Sequence, residues 1–187
     1  MRATDPVLTI DQQSFSGQAS RKMRSRRRDR GNHLYHSNGH LTVSEVERLI
    51  KAASYIGRYG YRDSTMILLA YGHGFRVSEL INLKWSHIDF DEGTVVVSRL
   101  KNGLQTVHPL SQREIDSLRY LERHGPESEF VFVSSRKGPM TVSIVDRMVK
   151  RAGEQAGLRY PLQPAMLHKA RGFDLVSASS SYSSTRH

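Results

Sequence analysis

The chain has 187 residues, a formal net charge of +10 and no cysteine. Its length suffices for one domain with a hydrophobic core and an additional arm, and the lack of cysteine excludes disulfide bonds and thiolate metal sites. The excess positive charge favours a polyanionic partner, with nucleic acid as the first candidate. The longest apolar run, residues 66–70, is too short to span a bilayer, so we expect a cytoplasmic protein without a membrane partner.

Residues 1–40 differ in composition from the rest, because apolar residues are sparse and seven basic residues crowd into positions 21–30. Such a segment cannot bury enough apolar surface to fold alone. It is interpreted as a disordered basic arm that contacts DNA phosphates, and a merely solubilising tail is the alternative. The predicted DNA contacts in the arm are Arg24, Arg26, Arg27 and Arg28.

The globular part begins at Leu41 with a capping box, in which Thr42 is the N-cap and Glu45 is the third helical residue. An apolar stripe then predicts a helix to about Ile56. A second helix, roughly 63–71, is apolar nearly all round and is therefore predicted to be the central helix of the core.

A small antiparallel sheet follows. β-Branched residues at 94–98, an Asn-Gly turn at 102–103 and a return at 105–108 predict a hairpin that carries Lys101 near its tip. Residues 130–133 are interpreted as a short apolar strand or an extended piece.

Three further helices complete the predicted core. One begins at the capping box of Ser111 and Glu114, one begins at Thr141 or Ser143, and one covers 165 to about 173, with Pro164 suited to its first turn. Lys150 and Arg151 on the middle helix, together with Lys84, are predicted to contact DNA from the outer surface. The predicted fold is mainly α with a three-stranded antiparallel sheet over 41–173, followed by a Ser-rich unstructured tail at 174–187.

Residues 71–80 carry the strongest candidate chemistry. Gly72 and Gly74 can adopt positive φ and let the backbone approach a ligand, and Arg76 follows in the first turn of a new helix. A guanidinium at a helix N-terminus suits a phosphate, which it can bind with two parallel hydrogen bonds. The simpler alternative is a surface salt bridge from Arg76 to Glu79 or Glu45.

Two functional interpretations of this region remain open. Small and apolar residues at 70, 74 and 80 have spacings that occur in helix-turn-helix motifs, which predicts a DNA-binding regulator. Alternatively, Arg76 and Lys101 converge on one DNA phosphate, where cations stabilise the charge of a strand-transfer reaction and a proton donor assists the leaving oxygen.

Four segments carry a resemblance to a known family. They are residues 68–80 (Leu-Leu-Ala-Tyr-Gly-His-Gly-Phe-Arg-Val-Ser-Glu-Leu), 88–90 (Ile-Asp-Phe), 99–103 (Arg-Leu-Lys-Asn-Gly) and 106–110 (Thr-Val-His-Pro-Leu). Over about 41–173 the chain resembles the tyrosine recombinase (phage integrase) family, and most closely the fimbrial phase-variation recombinases. The resemblance implies a mainly helical catalytic domain in which a tyrosine attacks the scissile DNA phosphate, without a metal or another cofactor.

The same resemblance implies roles for individual residues. Arg76 would be the first catalytic arginine, Glu79 its supporting acidic residue and Lys101 the general acid on the hairpin. The second box of the family reads Pro-His-x-Leu-Arg-His. This chain has Ala165 where the histidine stands and His168 where the second arginine stands.

The nucleophile of the family has no match. Tyr182 is the only tyrosine after Tyr160, and it lies in the Ser-rich tail. A shifted His168-x-x-Arg171 pair has a different helical phase from the family pattern, so we do not expect it to substitute. The predicted function is therefore that of a recombinase-family protein that binds double-stranded DNA but is catalytically impaired, with an altered or truncated C-terminal part.

This prediction has a consequence for assembly on DNA, and two alternative functions remain beside it. Any homo-oligomer on DNA is expected to be weakened, because the family implies assembly through C-terminal segments that we do not expect in this chain. The first alternative is a non-catalytic regulator, either of helix-turn-helix type or a fragment that interferes with an intact relative. The second is a fragment that folds poorly and aggregates through apolar surface of the 66–70 helix.

Overall fold

The computed structural model describes residues 41–98 and 105–171. The basic arm, the hairpin tip with Lys101 and the tail with Tyr182 lie outside these residues. The predicted domain boundaries at 40 and 173 therefore stay predictions.

The first helix, α1, spans Val43–Ser54 and begins as the capping box predicts. The Thr42 side chain accepts a hydrogen bond from the Glu45 backbone N–H (3.3 Å), and the Glu45 carboxylate accepts one from the Thr42 backbone N–H (2.9 Å). The stripe of Val46, Leu49 and Ala53 is fully buried. Helix α1 therefore presents one apolar face to the core.

Helix α2 spans Gly60–His73, and its residues 64–70 are all buried, which agrees with the predicted central position. It is longer at both ends than the predicted 63–71. At its start, a Cβ on Gly60 would lie 2.3 Å from the Ser54 carbonyl oxygen, so only glycine lets the helix begin this close to α1. At its end, Gly74 adopts the left-handed conformation and caps the helix.

A short helix and the sheet follow. Helix α3 spans Val77–Ile81, a 3₁₀ turn spans Trp85–His87, and the strands are β1 (Ile88–Asp89), β2 (Thr94–Ser98) and β3 (Gln105–Pro109). The strands form one antiparallel sheet in the order β1-β2-β3. Val95 and Val97 of β2 are buried, so one face of the sheet packs on the core. The predicted three-stranded sheet is confirmed.

The remaining helices are α4 (Gln112–His124), α5 (Val142–Gln155) and α6 (164–171). The N-cap of α5 is Thr141, which decides between the two predicted starts. Of the two interpretations of 130–133, the strand is wrong, because the described residues there form only isolated bridges, Lys84 with Phe130 and Val133 with Pro139. Phe132 is nevertheless fully buried. This segment is buried chain outside the sheet.

Helix α2 is the centre of the packing. It contacts α1, α3 and α4, while α5 packs against α1 and α3 from the other side. The buried apolar residues of these elements belong to one hydrophobic cluster. The turn between α2 and α3 is thus held by two packed helices.

Within the described ranges, no helix is both long and apolar enough to cross a bilayer.

Candidate functional site

The turn from α2 into α3 presents Arg76. Gly74 has φ 62° and ψ 36°, and Arg76 is the extended N-cap of α3. The Arg76 backbone N–H donates a 2.8 Å hydrogen bond to Oε2 of Glu79, which is 7% exposed. The Arg76 side chain itself is exposed. Glu79 therefore supports Arg76 through the backbone, and Arg76 remains an exposed residue.

Glu45, the other predicted salt-bridge partner of Arg76, is engaged elsewhere. Its carboxylate bonds the backbone and side chain of Thr42 and accepts a 3.0 Å hydrogen bond from the Tyr160 hydroxyl. Burial raises the pKa of Glu45, but the hydrogen bonds from Thr42 and Tyr160 outweigh it and hold the pKa below its usual value. Glu45 is thus part of the helix cap.

His168 on α6 lies directly against this turn. Its Nδ1 donates a 2.6 Å hydrogen bond to the Gly74 carbonyl oxygen. Because a carbonyl can only accept, this contact assigns the proton to Nδ1 and leaves Nε2 as the second functional nitrogen. The structure therefore brings together Arg76, Glu79 and His168, which lie in two distant parts of the sequence.

A buried contact between His73 and Glu114 beneath the turn was missed by the sequence analysis. Nε2 of His73 lies 3.2 Å from Oε1 of Glu114, and both side chains are 5% exposed. Glu114 also accepts hydrogen bonds from the backbone N–H (2.8 Å) and the hydroxyl (2.7 Å) of Ser111. The capping-box pattern identified Glu114 as a helix-start residue, but nothing local to it indicates His73 as its partner.

The electrostatics of Glu114 reflect these contacts. Burial raises the pKa of its carboxyl group, whereas the close His73 imidazole and the hydrogen bonds from Ser111 lower it, and the net effect holds the pKa below its usual value. The carboxylate is therefore kept ionised inside the fold.

Gly72 has a role other than the predicted one. It lies inside α2 and not in the turn, and among these two glycines only Gly74 has positive φ. A Cβ at Gly72 would lie 2.3 Å from Oε1 of Glu114. The prediction that Gly72 supplies a left-handed turn is wrong. A side chain at Gly72 would have to displace the carboxylate of Glu114, which occupies that space.

The hairpin reaches the same region. Lys101 lies outside the described residues, so its convergence with Arg76 stays a prediction. Strand β3, however, carries His108, whose ring centroid lies 5.4 Å from that of His73. The base of the hairpin therefore packs beside the end of α2.

The other predicted DNA contacts on the folded part lie at the surface. Lys84 forms a 2.8 Å ion pair with Glu129, and Lys150 forms a 2.6 Å ion pair with Asp146. Exposed ion pairs of this kind contribute little to stability. Arg151 lines a cleft of about 390 Å³ between the α1–α2 turn and α5. Three more arginines line that cleft: Arg58, Arg62 and Arg147.

Within this cleft Arg62 is already engaged. It bonds Asp63 through two nitrogens (2.8 and 2.6 Å) and the Val133 carbonyl through a third (2.6 Å). Burial raises the pKa of Asp63, although Arg62 partly offsets it. Arg58, Arg147 and Arg151 are exposed and supply the cleft's accessible positive charge.

The helix-turn-helix interpretation does not fit the geometry. Helix α3 has only five residues, and two of them, Glu79 and Leu80, are buried. It ends at Ile81, the C-cap residue Asn82 donates from its side chain to the Ser78 carbonyl (2.7 Å), and a 3₁₀ turn follows. A recognition helix needs a longer exposed face to enter the major groove.

A metal centre is not formed by the described ranges, where no group of three His, Asp or Glu side chains could hold an ion. Tyr160, the last tyrosine within them, is 9% exposed and bonded to Glu45. Burial and this hydrogen bond raise its pKa above the usual range. Tyr160 is therefore not available as a nucleophile in this arrangement.

Comparison with known proteins decides the family. The sequence profile of the Phage integrase family matches residues 40–184. The chain belongs to the phage integrase family of tyrosine recombinases. Over 146 residues it is 37% identical to the type 1 fimbriae regulatory protein FimE of Escherichia coli strain K12, covering 73% of this chain and 72% of FimE.

Solved structures of this recombinase family share the fold. The crystal structure of XerA recombinase matches with a TM-score of 0.62 and 28% identity, over 73% of this chain and 50% of XerA. Lambda integrase (residues 75–356) bound to DNA matches with a TM-score of 0.57 and 25% identity, over 71% of this chain and 49% of the other. The chain thus spans about half the length of these two recombinases. The predicted family and fold class are confirmed.

Proposed function

We propose that this recombinase-family chain binds double-stranded DNA, with the α2–α3 turn holding a backbone phosphate through Arg76. The observation that carries the proposal is the exposed guanidinium of Arg76 on a turn that Glu79 and His168 fix by hydrogen bonds of 2.8 and 2.6 Å. A preorganised guanidinium can donate two parallel hydrogen bonds to a phosphate. The net charge of +10 favours the encounter with DNA.

The neighbouring elements extend the DNA-binding surface. Lys101 on the hairpin tip would add a second cation at the same phosphate. Lys84, Lys150, Arg151 and the basic arm would contact flanking phosphates without reading sequence. Such contacts release counterions, so the affinity should fall steeply with salt. A DNA-bound protein of this type acts in the cytoplasm at the nucleoid, and any homo-oligomer forms on the DNA.

Strand cleavage by the 187-residue polypeptide should be absent or badly impaired. His168 stands where the family has its second arginine, and its Nδ1 is engaged with Gly74, so only Nε2 can face a phosphate. Loss of one preorganised charge donor costs about 3 kcal/mol of transition-state stabilisation. The described tyrosine nearest to the second box, Tyr160, is buried and bonded to Glu45.

A salt titration tests the phosphate contact. DNA affinity is measured over a range of salt concentrations for the unmodified protein, Arg76→Ala and the matched control Arg123→Ala, which removes an exposed arginine of α4. Arg76→Ala should weaken binding evenly across DNA sequences and reduce the salt slope by about one. Arg123→Ala should leave the slope nearly unchanged. Equal slopes for Arg76→Ala and the unmodified protein would contradict the proposal.

A suicide DNA substrate tests the impairment. The nicked substrate traps a covalent protein–DNA link if any tyrosine attacks the phosphate. We expect DNA binding without a covalent product on a denaturing gel. A covalent band that depends on Arg76 would show that cleavage survives, and peptide mapping would identify the tyrosine.

A second candidate function is interference with an intact relative. The matched relative FimE is named as a regulatory protein of type 1 fimbriae. A chain that binds recombination sites without cutting them would compete with an active recombinase. Addition of this protein to a recombination assay of an active relative should lower product yield, and Arg76→Ala should relieve that inhibition.

A further inference from the structure

We propose that His73 and Glu114 form a positioning pair that holds Arg76 in its phosphate-binding geometry. This inference rests on the proposed function and adds two residues that do not themselves face the DNA. His73 is the last residue of α2, and Glu114 lies in the first turn of α4. Their side chains meet beneath the turn that presents Arg76.

The positions of the two side chains in this pair are set by neighbouring residues. Glu114 uses its two oxygens separately, because Oε2 accepts both hydrogen bonds from Ser111 and Oε1 faces His73 at 3.2 Å. Gly72 leaves open the space into which Oε1 projects, 2.3 Å from where a Cβ would stand. The helix start of α4 thus fixes the carboxylate, and the carboxylate fixes the imidazole.

The imidazole of His73 in turn contacts the residues that form the turn. Its ring lies in an edge-to-face contact with Phe75, with centroids 5.7 Å apart, and Phe75 is 2% exposed. Phe75 directly precedes Arg76 in the chain. Since Gly74 between them is bonded through its carbonyl to His168, the segment 73–76 is held from α4 on one side and from α6 on the other.

The same imidazole contacts the sheet. The ring of His108 on β3 lies 5.4 Å from that of His73, at an interplanar angle of 62°. His108 is tied to its own strand through a 3.0 Å contact between Nε2 and the Thr106 hydroxyl. His73 therefore joins the Arg76 turn, the start of α4 and the strand that leads from the hairpin.

A double-mutant cycle separates positioning from general stability. DNA affinity is measured for His73→Leu, Arg76→Ala and the double variant, under conditions in which circular dichroism shows all of them folded. His73→Leu should weaken binding roughly ten-fold, in the range of one charge-assisted contact, and lower the salt slope as Arg76→Ala does. In the Arg76→Ala background, His73→Leu should have no further effect.

Two other variants complete the design. His73→Gln keeps a donor toward Glu114 and should recover most of the affinity. Glu114→Gln keeps the shape and the Ser111 contact but removes the charge, so it should weaken binding several-fold through Arg76, and it carries the test if His73→Leu does not fold. The exposed His124 serves as control, and His124→Leu should leave affinity and salt slope unchanged.

The outcomes are distinct. If His73→Leu or Glu114→Gln weakens binding equally with and without Arg76, the positioning role is wrong while the proposed function stands. If Arg76→Ala leaves the affinity and the salt slope unchanged, the proposed function fails, and the positioning role fails with it.

Discussion

Gly72 and Gly74 are two positions apart, yet glycine is favoured at each for a different physical reason. Gly74 needs the left-handed conformation, because its φ of 62° ends α2 and redirects the chain into Arg76. Gly72 has helical geometry and needs only the absence of a side chain, because Glu114 fills that space. The first requirement is conformational, and the second is steric.

Replacement of Gly72 by alanine should destabilise the protein despite the better helix propensity of alanine. The new methyl group would displace Glu114 from His73, and overpacking of this kind costs about 1–3 kcal/mol. Propensity alone predicts a gain of about 1 kcal/mol. Urea unfolding of Gly72→Ala and of the control Gly138→Ala, where nothing lies within 4 Å of the new Cβ, measures the difference. A stabilised Gly72→Ala variant would show that the carboxylate can move freely.

Gly74→Ala should be destabilising for conformational reasons. A Cβ there would lie 3.5 Å from Nδ1 of His168, an ordinary contact, so the cost is the left-handed backbone alone, about 1–2 kcal/mol. Asparagine tolerates this conformation better, so Gly74→Asn should lose less. Equal unfolding free energies for the two variants, measured by urea titration, would argue against backbone strain as the cause.

At the scale of the elements, the helix starts carry much of the fold's specificity. Helices α1 and α4 both begin with a Ser or Thr cap and a glutamate that binds back to the cap, and each glutamate also makes a distant contact. Glu45 bonds Tyr160, and Glu114 contacts His73. A local sequence signal therefore also anchors long-range packing.

The strengths of two N-caps should differ in a measurable way. Thr42 is part of a reciprocal capping box, whereas Thr141 only accepts a 3.4 Å hydrogen bond from the Ile144 backbone N–H. Thr42→Ala should cost about 1 kcal/mol of unfolding free energy, and Thr141→Ala should cost less. Chemical denaturation of both variants gives the comparison. A larger loss for Thr141→Ala would contradict the geometry.

At the scale of the whole molecule, stability should depend on acid pH through two carboxylates whose pKa values the fold lowers. The pKa values of Glu45 and Glu114 are lowered in the fold, so their ionised forms stabilise the native state above the unfolded value near 4.5. This contribution is lost as the pH falls through the lowered folded pKa values. These two groups should therefore make the unfolding free energy decrease from about pH 6 to pH 3, whereas Asp63, whose pKa is raised, acts in the opposite direction.

A pH series of urea titrations measures this dependence. The unfolding free energy of Glu114→Gln should be lower than that of the unmodified protein at neutral pH. It should also change less toward acid pH, because one of the titrating groups is gone. Glu122→Gln removes an exposed carboxylate of α4 and is the matched control, whose slope should follow that of the unmodified protein. Parallel curves for Glu114→Gln and the unmodified protein would show that Glu114 does not contribute.

The architecture could largely be predicted from the sequence, because its signals are local. The capping boxes at Thr42 and Ser111, the all-round apolar segment of α2 and the β-branched run of β2 each depend on neighbouring residues. The exposed Arg76 at the start of α3 follows from the same kind of local pattern. No such local pattern marks Gly60, so the start of α2 was predicted too late in the chain.

The contacts that organise the site depended on the tertiary structure. His73 with Glu114, His168 with Gly74 and Tyr160 with Glu45 each join residues far apart in the chain. No local period encodes such pairs, because they arise only when α2 is packed against α4 and the segment after α5 returns across the core. The sequence therefore determined which elements form and where Arg76 lies, whereas packing decided which side chains hold it.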